Sequence, residues 1–482
     1  MLADMTNPGF ADSVMRGMEL VRPAPLQRLT GSRAALRAWR VPGIRLGAEG
    51  HHGDHSEPMT LRILFVAGFF PPYSPLGAVR APMLVRWWRA QGHDVRVIAL
   101  HNPGVAGQLE PVLPPEMVRY VPFTRAAPTL DQAAGSVKKL LVKPERSLKP
   151  HWESLRTLYR QVAHFPDRYR SWIRPAVAGG VALAQDWQPD VIYSTGPPHS
   201  GHVVARRLAA RLRQPWIAEL RDLWADNPYN EGHPLFEPIL RRYAWGTLAH
   251  ATGHVALTRG SARRVSQALG RPVTLSYNGF GADDFVGLET VPALDAERLT
   301  IIHAGIIYAG QREPTMLLAA LAKLDAQTRA RIRLIFFHDE QSALATSAAR
   351  YGVSDCVELL PPVPRREILK LERQADVLLL CRWDNPAEDS IIPGKVFEYI
   401  GARRPILATG SATGEAADIV RSGGFGVVLT DPGDIARQLK QWLAQKQAHG
   451  GRLPDLPEEP TYAYLRETQF QTVDAALAAA VR

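Results

Sequence analysis

The sequence predicts an α/β protein built from two doubly wound, Rossmann-like domains facing a central cleft. Three observations carry this expectation: short apolar runs, helical apolar spacing between them, and two successive series of that alternation. The chain has 482 residues, of which 46% are hydrophobic and 22% charged. That is ordinary for a globular protein of two or three domains. Its unbroken apolar runs, such as Val377–Cys381, fall far short of the ~20 residues that cross a bilayer. The two cysteines, Cys356 and Cys381, match no zinc or redox spacing. They fit a reducing cytoplasm, the expected location.

The first series opens with the strand Leu61–Gly68 and a turn-rich segment, Phe70–Gly77. Ala81, Leu84, Val85 and Trp88 then recur at i, i+3, i+4 and i+7, one face of a helix. Gly92 is a stop signal, and Val95, Val97 and Ala99 enter a second strand, closing a βαβ unit. Residues 101–175 are irregular and proline-rich. They contain the basic stretch Lys138, Lys139, Lys143, Arg146 and Lys149 among Leu140, Leu141, Trp152, Leu155, Leu158 and Tyr159. This tract reads as an amphipathic helix pair covering the sheet, or as a face for an anionic membrane. Alternation resumes with the strand Asp190–Thr195, its loop Gly196–Ser200, and a helix carrying Val204, Leu208 and Leu212. The strand Trp216–Glu219 then runs into Leu220-Arg221-Asp222.

The second series contains strands at Leu299–His303, Ile332–Phe337, Val357–Leu360, Asp376–Cys381, Pro405–Thr409 and Gly426–Leu429. Helices are expected after Pro314 and around Ser342–Tyr351, Arg366–Arg373 and Val396–Ala402. The expected boundaries are a leader at 1–58, a first domain at 59–281, a linker at 282–297, a second domain at 298–455 and a final segment at 456–482. The leader lacks periodicity and is expected to be disordered. A dispensable extension upstream of Met59 is one reading of it, and a basic membrane-touching arm the other.

Basic residues number 57 and acidic residues 47, a net charge of +10 that favours anionic partners. Zinc-finger spacing, aromatic RNA-binding signatures and basic-region heptads are absent, so nucleic acid is not an expected partner. Ligands of open α/β sheets sit beyond the carboxyl ends of the strands, which directs attention to the loops there. Gly77 with Arg80, His199, Arg221-Asp222, Gly305 with Arg312, and the run Ser390–Glu398 occupy such loops. A helix starting near Pro393 or Gly394 would offer free N–H groups to an anion. Lys395 in its first turn opposes the helix dipole unless an anion is bound there. Glu398, one turn on, would put a carboxylate beside that cation, a pair suited to a phosphate and to sugar hydroxyls. A surface ion pair at i, i+3 accounts for the same spacing. No D-x-D triplet and no glycine-rich dinucleotide or P-loop fingerprint occurs, so neither a metal nor a cofactor is expected.

Four segments resemble family-4 glycosyltransferases of the GT-B fold: 63–99, 190–209, 214–229 and IPGKVFEYIGARRPILATG at 392–410. Segments 276–285 and 303–321 agree in order. The resemblance implies retaining transfer of a hexosyl group from a nucleotide-diphosphate sugar to a hydroxyl of a glycan or lipid-linked acceptor. The setting would be polysaccharide or cell-envelope assembly, by an enzyme peripheral on an anionic membrane. It implies that the second domain binds the nucleotide and that the last helix crosses back to the first domain. Glu398 matches the second glutamate of the family's E-x7-E motif, on the ribose. Lys395 and Arg312 match diphosphate contacts that also serve catalysis, Gly305 and Gly394 match close backbone approaches, and Gly77 matches the first-loop glycine. Asp222 is expected near the reacting centre, with Arg80, His199 and Arg221 on the acceptor side. Two departures stand out: Ser390 occupies the place of the first glutamate, and Arg221-Asp222 stands where a His-Asp or His-Gly pair is common in the family. A sugar-nucleotide 2-epimerase and an inactive nucleotide-sugar-binding protein are the alternatives.

Overall fold

The computed structural model describes residues 60–482 except 76–77, 106, 108, 124–157, 159–160, 163, 228–232, 309 and 340. The leader, Gly77 and the basic stretch 138–149 therefore lie outside the described residues.

Seven parallel strands form the first sheet: β1 (Arg62–Ala67), β2 (Asp94–Leu100), β3 (Val118–Val121), β4 (Val191–Gly196), β5 (Trp216–Leu220), β6 (Gly253–Ala256) and β7 (Thr274–Leu275). Their order is β3-β2-β1-β4-β5-β6-β7. Phe65 of β1 stands beside Val97 and Tyr193 on the neighbouring strands. The central strands read as unbroken apolar runs because helices cover both faces. Those helices are α1 (Arg80–Ala90), α2 (Ile173–Ala184), α3 (Ser200–Leu212), α4 (Glu237–Leu248) and α5 (Arg259–Leu269).

The second sheet has six parallel strands: β8 (Leu299–Ala304), β9 (Ile332–Phe337), β10 (Val357–Leu360), β11 (Val377–Cys381), β12 (Ile406–Thr409) and β13 (Gly426–Leu429). Their order, β10-β9-β8-β11-β12-β13, repeats the pattern of the first sheet. Around it lie α6 (Thr315–Ala322), α7 (Ala326–Ala330), α8 (Ser342–Tyr351), α9 (Arg365–Gln374), α10 (Lys395–Gly401), α11 (Glu415–Ser422) and α12 (Pro432–Ala448). In each sheet the order reverses beside the first strand, so ligand crevices open beyond β1/β4 and beyond β8/β11.

The final helix, α13 (Arg466–Val481), returns to the first domain. Phe470, Val473 and Leu477 enter the same buried cluster as Ile63, Trp88 and Tyr193. At ~1.5–3 kcal/mol for each fully buried side chain, that contact is substantial. The indole N–H groups of Trp87 and Trp88 donate to Asp474 at 2.7 and 3.0 Å, fixing the helix axially.

The structure also adds elements. The tract 101–175 holds β3 and the start of α2, and residues 233–275 hold α4, β6 and α5. Helix α5 carries only a thin apolar face, Ala262, Val265 and Leu269, of which Val265 alone is fully buried. Its start is nonetheless defined: Thr258 accepts a hydrogen bond from Ser261 N, and Gly270 ends the helix in the left-handed region.

Candidate active site

Beyond β8, Gly305 has φ +144°, a conformation that favours glycine. A Cβ there would stand 3.8 Å from Lys395 Cε, so the backbone passes beside that side chain. Lys395 opens α10, and its Nζ lies 2.6 Å from Glu398 and 3.2 Å from Glu372. Glu372 is 0% exposed and rises from α9. Arg365, one helical turn and more before it, reaches Glu398 at 3.4 Å. Burial pushes the Glu372 carboxyl up to about 7, against the pull of Lys395 and with the push of Glu398. Burial works against the Lys395 ammonium, but the two carboxylates outweigh it and its pKa is raised. This lysine is a cation held between the Glu398 carboxylate and the buried Glu372 carboxyl, which titrates at about 7.

Arg312 lies in the loop after β8, over the Tyr308 ring at 5.2 Å. Glu388, buried at 3% exposure, holds it through Nη2 at 2.8 Å and Nε at 3.1 Å. The expected phosphate clamp is thus oriented by a carboxylate two residues before Ser390. Ser390 itself faces the first domain: a Cβ on Gly260 would come within 2.2 Å of the serine Cβ. One expectation needs correcting. The amides of Val396 and Phe397 are not free for an anion, because they donate to the Pro393 and Gly394 carbonyls at 3.0 and 3.2 Å. The helix starts at Lys395 with Gly394 as its cap, close to the expected place, but its first turn is closed by these tight i→i−3 bonds.

Glu415, at the start of α11, joins the two domains. It accepts from Arg259 N at 2.7 Å, Gly260 N at 3.2 Å and Tyr277 Oη at 2.7 Å. A carboxylate on the N-terminal amides of α5 is favoured by their unpaired N–H groups and by the helix dipole.

The first-domain side differs. His199 follows β4 and stacks on Trp224 at 5.1 Å, with an interplanar angle of 9°. Burial, with His202 and Arg221 nearby, holds its pKa well below the ordinary value. His202, pushed down to about 3 by burial and then by His254 and Arg221, pairs with Ser194 at 2.9 Å. Both rings are therefore neutral at physiological pH, so His199 brings no charge to a phosphate. Arg221 donates to the Pro197 carbonyl. Asp222 is exposed two residues past β5, and its partial desolvation raises its pKa despite Arg221. Arg80, expected on the acceptor side, is 5% exposed and fully engaged. It donates to Glu219 at 2.9 Å, the Tyr277 carbonyl at 2.8 Å and Ser276 Oγ at 2.9 Å. It is an internal strut.

The structure therefore gathers Gly305, Lys395 and Glu398, holds Arg312 on the same sheet edge, and turns Arg80 inward. Sequence reasoning missed Glu372, Glu388 and Glu415. Glu372 alone left a trace: it sits four residues after Ile368 and three after Leu369, on the buried face of α9.

The profile described as "Glycosyl transferase 4-like domain" matches residues 77–279, and that of "Glycosyl transferases group 1" matches 298–445. Among solved structures, Anabaena HepE in complex with UDP-glucose is similar, with 16% identity and a TM-score of 0.53 over 87% of this chain and 100% of that one. Sucrose-phosphate synthase from Thermosynechococcus elongatus aligns with 12% identity and a TM-score of 0.57, covering 87% and 98%. The lipopolysaccharide outer core galactosyltransferase WaaB, in its apo form, aligns with 11% identity and a TM-score of 0.52, covering 87% and 99%. No curated protein matches the sequence. Two doubly wound domains, each matched in order by its own profile, define a nucleotide-sugar-dependent glycosyltransferase. The chain belongs to the glycosyltransferases of the GT-B fold.

Proposed function

We propose that the enzyme transfers a hexosyl group, with retention and without a metal, from a nucleotide-diphosphate sugar to a hydroxyl of a glycan or lipid-linked acceptor. Cell-envelope or surface-polysaccharide assembly at the face of an anionic membrane is the setting. The carrying observation is the Lys395 ammonium suspended between Glu372 and Glu398 beside Gly305. An arriving diphosphate replaces Glu398 as the partner of Lys395. The freed carboxylate then accepts from the two vicinal ribose hydroxyls, charge-assisted bonds stronger than neutral ones. As the sugar–phosphate bond breaks, negative charge grows on the departing phosphate, where Lys395 and the oriented Arg312 stabilise it. The leaving phosphate takes the acceptor proton, and Asp222 positions the acceptor hydroxyl. The UDP-glucose bound by HepE and the galactosyltransferase activity in the name of WaaB support a nucleotide-hexose donor.

Titration calorimetry with nucleoside, nucleoside diphosphate and sugar donor tests the reading. Glu398→Ala should weaken all three by ~1.5–3 kcal/mol, roughly tenfold to a hundredfold. Lys395→Ala should spare the nucleoside, weaken the diphosphate and lower turnover. If Glu398→Ala binds all three like the parent, the i, i+3 pair is only a surface contact. Interconversion of donor sugars without acceptor would instead identify an epimerase.

A further inference from the structure

Five large hydrophobic side chains stand exposed among the described residues, and three of them lie together: Val162 at 54%, Leu235 at 73% and Ile239 at 57%. Gln161 accepts a hydrogen bond from His233 N at 2.8 Å, tying the segment before Phe165 to the segment before α4. Phe165 then packs on Phe236 at 5.6 Å and on Tyr243 at 4.5 Å, and Ile239 lies one turn before Tyr243. Phe165 and Tyr243, which join this cluster, also line an open cavity of about 510 Å³ together with Arg170, Arg174 and Arg207 and no carboxylate. The adjacent Asp167 is occupied elsewhere, accepting from Ser200 N and Oγ at 2.6 Å and from Tyr169 N at 2.8 Å.

Exposed aliphatic side chains beside three guanidiniums, with the one acid among them, Glu237, facing Arg241 at 3.9 Å, match the two layers of an anionic bilayer surface. The aliphatic groups gain by entering the boundary between headgroups and acyl chains. Guanidiniums form paired hydrogen bonds with phosphate oxygens and shed their weak hydration readily. We propose that this face, formed by α2, α3, α4 and the segment before α2, docks the enzyme on a bilayer containing anionic phospholipid. The proposal rests on the peripheral-membrane reading above and gives that contact a location. Asp167 also holds Ser200, the first residue of α3, so the docked face adjoins the loop that carries His199 on the acceptor side. An acceptor borne by the membrane would be presented there.

Cosedimentation of the full chain with vesicles of phosphatidylcholine plus phosphatidylglycerol tests this, with phosphatidylcholine alone as reference. The parent should bind only the anionic vesicles. Replacing Arg170, Arg174 and Arg207 with Gln should weaken binding about fivefold per charge, on the order of a hundredfold in all. Leu235→Ser with Ile239→Ser should also weaken it, with the melting temperature unchanged in both variants. Replacing the exposed Arg350, Arg366 and Arg437 of the second domain should leave binding as it was. Parent-like binding by both patch variants, or an equal loss in the second-domain control, overturns the assignment. So does loss of binding on Lys138, Lys139 and Lys143→Gln alone. A parent that ignores anionic vesicles overturns the peripheral reading and this surface with it.

Discussion

The two facing sheet edges handle charge in opposite ways. At the second domain, Lys395, Arg312, Glu372, Glu388 and Glu398 form ion pairs partly open to the cleft. At the first domain, the charged pair is sealed inside as Arg80 with Glu219, at 5% and 1% exposure, and the histidines are held neutral. Glu219 is saturated there, also accepting from Tyr193 at 2.9 Å and Thr195 at 2.7 Å. An exchangeable set of ion pairs suits an anionic ligand that takes over one partner. An edge of neutral histidines, with Asp222 exposed beside Arg221, suits hydroxyl groups. The same fold thus makes two chemically different shelves.

The contrast is most exposed at Arg80. Arg80→Met leaves the Glu219 carboxylate buried and uncompensated, so it should cost about 3–5 kcal/mol of stability in urea denaturation. Nucleotide affinity of the folded fraction should not change. A stable variant defective only in acceptor KM would make the first-domain edge a charged binding surface after all.

Next comes pH. Glu372 binds its proton more tightly folded, at about 7, than at its ordinary 4.5. Its contribution to stability is full below about pH 4.5 and is lost as pH rises through about 7. Glu372→Gln should remove this slope, on the order of 2 kcal/mol. Comparing parent and variant melting temperatures from about pH 5 to about pH 8 checks it. Parallel curves would place the proton elsewhere. Asp474, raised by burial to about 6 despite its two indole donors, acts in the same direction and is separable with Asp474→Asn.

A smaller effect is expected at Asp222→Asn: about tenfold in acceptor KM, on the order of 1.5 kcal/mol, with unchanged nucleotide affinity. Weakened nucleotide binding would move Asp222 to the donor side. The least effect is expected from EDTA, which should leave initial rates unchanged; a loss restored by a divalent cation would require a metal at the diphosphate.

The alternation of short buried strands with amphipathic helices was legible because parallel strands are apolar on both faces. Several strand ranges coincide with the observed ones, Ile332–Phe337 and Val357–Leu360 among them. Helix α5 was missed because its apolar face is thin, Ala262, Val265 and Leu269 among arginines and serines, and its caps and Glu415 across the cleft supply further hold. The site was half legible. Lys395 and Glu398 are neighbours on one helix, so spacing reveals them. Glu372 and Glu388 reach their partners from residues 23 and 76 positions away, a relation no local pattern encodes. Arg80 misled because a cation after a strand-end loop looks the same whether it faces ligand or core.

The docking of α13 also sets a timetable for synthesis. The first domain's last strand ends at Leu275, yet its buried cluster waits for Phe470, Val473 and Leu477, roughly 200 residues later. At ~5–20 residues per second, an apolar groove over Trp88 and Tyr193 stays uncovered for about 10–40 s while the second domain is made. The domain that starts first is finished last, and a chain stalled after α12 would carry one complete domain and one open one.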